Sequence, residues 1–310
     1  MILITGGAGF IGGNYLWNTD EKIVCIDNLT YASNLNYIAP LTDNGRVIFY
    51  HADIKDSEAI KTIFNKHKPK YIVNFAAESH VDNSIKDCQP FVDTNISGTI
   101  NLLQHSRNLD SLEKFIHIST DEVYGSLELD SDDSFHETTQ YQPNNPYSAS
   151  KAASDHFVRA FHKTYGVPAI ITNCSNNYGP GQNSEKFMPT IIKKAAKDQK
   201  IPVYGDGLNV RDWLFVEDHC YGINLVLEKG QIGEKYNIGG GTEIPNIELV
   251  KMILKAMNKP ESLIEYVLDR PGHDRRYAIN CDKISALGYK PKYTLEKGIQ
   301  KTIEWYGENK

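Results

Sequence analysis

With 310 residues the chain is long enough to bury a full core and is expected to form two domains, or one domain with a substantial appendage. Hydrophobic residues make up 40% and charged residues 23%, an ordinary balance for a globular protein, and no apolar run reaches transmembrane length. The net charge of −6 offers no general basic field, so neither a nucleic-acid nor a membrane partner is expected.

The chain opens on a strand, MILIT, that runs straight into a glycine turn. No signal-peptide pattern precedes it, and a cytoplasmic location is expected. Apolar, β-branched runs at Met1 to Thr5, Lys22 to Ile26, Val47 to Tyr50, Tyr71 to Phe75, Phe115 to Ile118 and Ala169 to Thr172 predict buried parallel strands. Helical patterns lie between them at Ile11 to Asn18, Ser57 to Lys66, Gln89 to Leu109 and Pro146 to Tyr165. That alternation predicts an α/β fold of Rossmann type, a doubly wound parallel sheet with right-handed crossovers.

Past about residue 173 the pattern loosens into glycine- and proline-rich turns between short elements, which predicts a smaller C-terminal α/β domain that binds substrate. The expected division is 1–173 and 174–310, with a segment near 209–232 returning to the first domain. Five cysteines (Cys25, Cys88, Cys174, Cys220 and Cys281) are scattered, odd in number and free of CxxC spacing. They read as reduced, packed thiols, with neither a disulfide framework nor a metal site.

The turn after the first strand, Thr5-Gly6-Gly7-Ala8-Gly9-Phe10-Ile11-Gly12, satisfies G-x-G-x-x-G at Gly7, Gly9 and Gly12. Glycines there allow a tight turn, a close backbone approach to pyrophosphate and close helix packing, and the helix N-terminus favours the anion. Asp27, followed by Asn28, ends the second strand about 20 residues on, where a carboxylate accepts from a ribose 2′-hydroxyl and repels a 2′-phosphate. NAD is therefore favoured over NADP. Asp53, beside Ile54, either accepts from the adenine amino group or caps the Ser57 helix. Ala76, Ala77 and Ser79 end the fourth strand, where the switch point of the sheet places cofactor contacts.

Tyr147 and Lys151 stand four residues apart in a helix marked by Asn145 and Pro146 at its start and by Gly166 and Pro168 at its end. A cation that close is expected to lower the tyrosine from its usual pKa of about 10. Thr120, Asp121 and Glu122 follow the fifth strand. Alone, the Asp-Glu pair reads as a solvated acidic turn; beside Thr120 and the Tyr/Lys pair it reads as an acid and a base kept in different protonation states by mutual repulsion. Both side chains reach one substrate only if the strand has ended by Asp121.

These features resemble the extended short-chain dehydrogenase/reductase family, and within it the nucleotide-sugar 4,6-dehydratases. The resemblance rests on Asp27 to Ala32, Asn74 to Ala77, Glu78 to Asp82, Ser119 to Gly125, Asn176 to Pro180, Asn209 to Trp213 and Asp269 to Tyr277. It implies a tightly bound NAD that is regenerated each turnover. Tyr147, helped by Lys151 and Thr120, would deprotonate the sugar 4-hydroxyl; Glu122 would take the C5 proton and Asp121 would protonate the leaving 6-hydroxyl. It also implies a nucleotide-sugar substrate held by His80, Thr120, Asn176, Lys186, Tyr204, Arg211, Asn246, Arg270 and His273, with Arg211 and Arg270 as the pyrophosphate partners, and a homodimer formed through the Gln89 and Pro146 helices. Surface salt bridges are the alternative for the individual cations. Arg211-Asp212-Trp213 resembles the branch acting on dTDP-glucose; a UDP-glucose dehydratase is the alternative, and a nucleotide-sugar 4-epimerase, which lacks the Asp-Glu pair, is the more distant one. Asn83 stands where the family has arginine, which implies a lost local charge contact and leaves the chemistry intact.

Overall fold

The structure, a computed structural model, describes residues 1–308. Strands β1 (Ile2–Thr5), β2 (Ile23–Asp27), β3 (Val47–His51), β4 (Tyr71–Asn74), β5 (Lys114–Thr120) and β6 (Ala169–Cys174) coincide with the six apolar runs. The later strands are β7 (Asn176–Tyr178), β8 (Ile201–Tyr204), β9 (Val210–Phe215), β10 (Lys235–Ile238), β11 (Glu243–Pro245) and β12 (Ile264–Val267). One all-parallel sheet runs in the order β10-β6-β5-β4-β1-β2-β3. It grows outward from β1 to β3, then restarts at β4 on the other side of β1, so the glycine turn after β1 opens at the switch point.

Alternate residues of the strands feed two cores, as a sheet covered on both faces requires. Ile4, Cys25, Val73, Ile116 and Ile170 meet Tyr15 and Leu16 of the Phe10–Trp17 helix and Cys220, Ile223 and Val226 of the Val216–Lys229 helix. Leu3, Val24, Ile72, Phe115 and Ile171 meet Phe64, Leu102, Val158 and Phe161 on the opposite face. The Val216–Lys229 helix lies within the stretch expected to return, while the strand that joins the sheet, β10, comes after it.

The smaller layer holds a mixed sheet, β11-β9-β7, and a parallel pair, β12-β8. With the Phe187–Ala196, Asn246–Ala256 and Leu295–Glu308 helices it encloses a core of its own, including Met188, Ile191, Trp213, Phe215 and Ile253.

Before residue 173, two helices, Leu35–Asp43 and Val81–Lys86, lie outside the set that the sequence pattern predicts. The single helix expected over Gln89 to Leu109 is present and continuous from Gln89 to Ser106, but its middle, Val92–Gly98, is wound more widely as a π-helix between Gln89–Phe91 and Thr99–Ser106. The widening turns the buried Asn95 side chain inward, where it bonds the Glu78 amide and carbonyl and Ser150 Oγ. The Ser57 helix is capped by Asp56, whose carboxylate accepts from Glu58 N and Ala59 N, so Asp53 does not serve as its cap.

Gly6 has φ +71°, and a Cβ there would sit 2.7 Å from the Ala76 amide nitrogen. Gly45 has a similar φ of +75° with open space around it. Gly45→Ala is expected to cost only the left-handed penalty of about 1–2 kcal/mol, whereas Gly6→Ala loses more. Equal drops in Tm for the two variants would show that the close approach of the glycine turn to β4 is unimportant.

Candidate active site

β5 ends at Thr120, and the chain turns at once into one tight helical turn, Asp121–Tyr124. Thr120 Oγ1 caps that turn, accepting from Glu122 N at 3.3 Å, and donates to Asp121 Oδ1 at 3.4 Å. The turn frees Asp121 and Glu122 from the alternation of a strand, so both side chains line one cavity with Tyr147 and Lys151. Behind it Val123, Tyr124, Phe135, Ala152 and Tyr277 pack as a small core that holds the turn against the long helix.

That helix, Pro146–Tyr165, begins with a capping box: Asn145 accepts from Ser148 N, and Ser148 Oγ answers the Asn145 amide. Its end is set by Gly166 at φ +73°. Rigid ends fix Tyr147 and Lys151 one turn apart, 8% and 3% exposed.

Burial dominates the electrostatics. Asp121 is 1% exposed, and burial, reinforced by Glu122 and Asp212, pushes its carboxyl well above the usual range against the opposing Arg211. Its Oδ2 has no partner among the described residues. Burial also raises Glu122, opposed by Arg270, Arg211 and Lys186. Tyr147 departs from expectation. Burial, then Glu122, Cys174 and Asp121, hold its phenol well above the ordinary value, only partly offset by the Thr120 hydroxyl. The Lys151 ammonium, one turn away, donates to the Ile118 carbonyl at 2.7 Å.

The same cavity, of about 540 Å³, is lined by Gly6, Gly9, Phe10, Ile11, Gly12, Asp27, Asn28, Asp53, Ile54, Ala76, Ala77 and Ser79. All the proposed cofactor contacts and all five proposed catalytic residues therefore share one space. The cradle leaves no room for a side chain at Gly12, where a Cβ would lie 2.3 Å from the Gly6 carbonyl oxygen, and is tight at Gly9, where it would lie 3.2 Å from the same oxygen. Asp27 braces the cradle, accepting from Ala8 N, Leu29 N and Ser33 Oγ, and still faces the cavity. Asp53 is tied to Asn28 Nδ2 and Lys55 N. These residues fit a dinucleotide, with the backbone amides of the cradle for its phosphates and Asp27 for a ribose.

Of the expected substrate residues, Thr120, Asn176 and Lys186 line this cavity, and the others do not. Lys186 Nζ donates to the Ser79 carbonyl at 2.6 Å. His80 instead caps the Val81–Lys86 helix, and Asp82 on that helix accepts from Arg270 at 3.1 Å and from Tyr204 at 3.3 Å. His273 pairs with Asp269 at 2.6 Å and stands edge-on to the Tyr204 ring.

Arg211 is 5% exposed and largely committed, donating to the Val210 and Asp274 carbonyls and stacking 4.1 Å from the Tyr277 ring centroid. That makes it a fixed cation near the two carboxyls more than a free phosphate clamp. Asn176 Oδ1, Asn246 Oδ1 and Arg270 Nε are buried without a partner among the described residues and remain available to a ligand.

A family model described as GDP-mannose 4,6 dehydratase matches residues 3–302. The chain belongs to that family. It is 50% identical over 329 aligned positions to a dTDP-glucose 4,6-dehydratase of Xanthomonas campestris pv. campestris, covering 99% of this chain and 93% of that protein. The solved dTDP-glucose 4,6-dehydratase of Streptomyces venezuelae, with NAD and a dTDP ligand bound, superposes with a TM-score of 0.95 at 42% identity, covering 99% of this chain and 97% of that one. A UDP-glucuronic acid 4-epimerase of Bacillus cereus reaches a TM-score of 0.93 at 28% identity, covering 100% and 99%. Such a spread shows that backbone shape does not separate dehydratase from epimerase within this family; the side chains after β5 must.

Sequence reasoning missed Glu185, which lines the cavity and accepts from Tyr31 at 3.3 Å, and the buried His117 and Asp155 behind Lys151. Asn83, in the position where arginine was expected, donates to the Tyr31 hydroxyl at 3.3 Å.

A carboxyl raised in the folded state stabilises the fold fully below its unfolded pKa of about 3.9, and that contribution is lost as pH rises through the folded value. Asp121→Asn is therefore expected to raise Tm by about 2 °C or more near neutral pH, with the gain vanishing towards about pH 4. Superimposable melting curves at both pH values would show that Asp121 carries no burial strain.

Proposed function

We infer that this chain is an NAD-dependent dTDP-glucose 4,6-dehydratase, a hydro-lyase that forms dTDP-4-keto-6-deoxyglucose and water. The observation that carries the reading is the turn after β5, which brings Asp121 and Glu122 into one cavity with Thr120, Tyr147 and Lys151. NAD, held by the glycine cradle and Asp27, would supply the oxidant for the sugar C4 position and the reductant for C6.

Tyr147 accepts the proton of the sugar 4-hydroxyl. Burial holds the phenol high, and the Thr120 hydroxyl and the Lys151 ammonium would favour its ionised form. A ketone at C4 acidifies the C5 proton, which Glu122 takes, held closer to its charged form than Asp121 by Arg270, Arg211 and Lys186. Asp121, kept protonated by burial, gives its proton to the departing 6-hydroxyl. Glu122 returns a proton to C5 as C6 is reduced.

Arg270, Asn176, Asn246 and Lys186 are proposed to hold the diphosphate and sugar, with Arg211 as a fixed positive charge near them, and Tyr204 and His273 the nucleoside end. We also propose a homodimer through the Gln89 and Pro146 helices, on which Val92, Phe157 and Tyr165 are exposed apolar side chains. The five cysteines are unpaired, which fits a reducing compartment, and we place the enzyme in the cytoplasm. No helix among the described residues is long and apolar enough to cross a membrane.

Purified protein without added cofactor, given dTDP-glucose and separately UDP-glucose, is expected to remove one water from dTDP-glucose with no net NADH. Comparable turnover of UDP-glucose would widen the substrate. Conversion to a stereoisomer of unchanged mass would make the enzyme an epimerase, and no change after adding NAD would sink the reading. Tyr147→Phe and Glu122→Gln should each lower kcat by about 10²–10⁴-fold while leaving the fold intact.

A further inference from the structure

Behind the Tyr147 cleft lies a cluster of ionisable side chains to which the chemistry above gives no task. His117 on β5 is fully buried. Its Nε2 lies 3.4 Å from Lys151 Nζ and 3.4 Å from Asp155 Oδ1, with Ser154 Oγ at 3.2 Å. Asn74 Nδ2 meets the other ring nitrogen at 3.1 Å. The second oxygen of Asp155 accepts from Ser119 Oγ at 2.8 Å and Tyr141 OH at 2.9 Å.

Asp155 and Lys151 sit one turn apart on the same face of the long helix, both 3% exposed or less. Among the described residues the other neighbours of the ammonium are the Ile118 carbonyl, Cys174 and the His117 imidazole, none of which carries a full negative charge. Around Asp155 stand Tyr141, Tyr124 and Lys235, the last with its ammonium 4.6 Å from the Tyr141 ring centroid. A buried ammonium with no countercharge is costly and tends to shed its proton.

We propose that Asp155, acting across His117, is the positioning residue that keeps the Lys151 ammonium charged and seated on the Ile118 carbonyl. The proposal rests on the reading of Tyr147 as the base, since a charged Lys151 matters only to a phenol that must ionise. Asp155 opposes the burial that lowers Lys151, and Lys151 in turn opposes the burial that raises Asp155. The two are mutually supporting, and Asp155 is not among the residues that line the cavity where substrate would lie.

The test is the pH profile of kcat for the holoenzyme acting on dTDP-glucose. Asp155→Asn is expected to lower kcat at neutral pH by tenfold or more, to leave KM within about twofold, and to move the alkaline limb down by about one pH unit or more. Ser119→Ala, which removes a hydrogen bond and no charge, should lower Tm without moving that limb. Tyr141→Phe withdraws a hydrogen bond that favours the ionised carboxyl and should move the acid limb upward, which keeps the idea testable if Asp155→Asn does not fold. An Asp155→Asn profile that overlays the wild type after scaling, or an unmoved acid limb in Tyr141→Phe, overturns the proposal alone. A wild type that removes no water from dTDP-glucose overturns both this and the dehydratase reading.

Discussion

Burial of charge at the end of β5 is the constraint around which the rest of this molecule is arranged. Thr120, Asp121, Tyr147 and Lys151 are each less than a tenth exposed, and Glu122 lines the same cavity. An ion moved into such surroundings costs several kcal/mol unless it is paired or neutralised. Each group escapes the cost differently. Asp121 keeps its proton, Lys151 sits on a strand carbonyl, and Arg211 spends its donors on two carbonyls while its face covers the Tyr277 ring. On the dehydratase reading, those separate solutions would differentiate two adjacent carboxyls into an acid and a base.

The fold provides that dry space by closing two layers over it. Few contacts hold them together across the cavity: Asp82 with Arg270 and Tyr204, Lys186 with Ser79, Tyr31 with Glu185, and Asn14 with the Pro180 carbonyl. The one ion pair among them, Arg270 with Asp82, is partly exposed and contributes about 0–1 kcal/mol, and the others are single hydrogen bonds.

Much of this was legible from residue order. Parallel strands announce themselves as short apolar runs, and the Pro146 helix carries its start and stop signals in Asn145 and Gly166, so both are placed to within a few residues. The wide winding at Val92–Gly98 was not legible, because Asn95 gains its reason only from Glu78 and Ser150, distant in sequence. His117 and Asp155 were invisible for the same cause: a lone histidine in a strand and an aspartate in a helix signal nothing until a third element joins them. The raised phenol of Tyr147 was hidden for a different reason. Helical spacing gives the proximity of Lys151 but not the depth of burial, which is the largest influence on the phenol, nor the destination of a long side chain, here the Ile118 carbonyl at 2.7 Å.

Proton balance adds a demand that the reading of the site must meet. On the dehydratase reading Tyr147 finishes each cycle with one proton more, and Asp121 with one fewer, than at its start, whereas Glu122 returns what it took. One proton must therefore pass from the phenol to the carboxyl before the next substrate is oxidised. Thr120 lies where such a transfer needs a hydroxyl: it donates to Asp121 Oδ1 and interacts with the Tyr147 phenol from the same oxygen. A hydroxyl can accept and donate at once, which no apolar residue of similar size can do. The strand ends at a threonine, on this account, because the residue that caps the catalytic turn also connects its acid to its base.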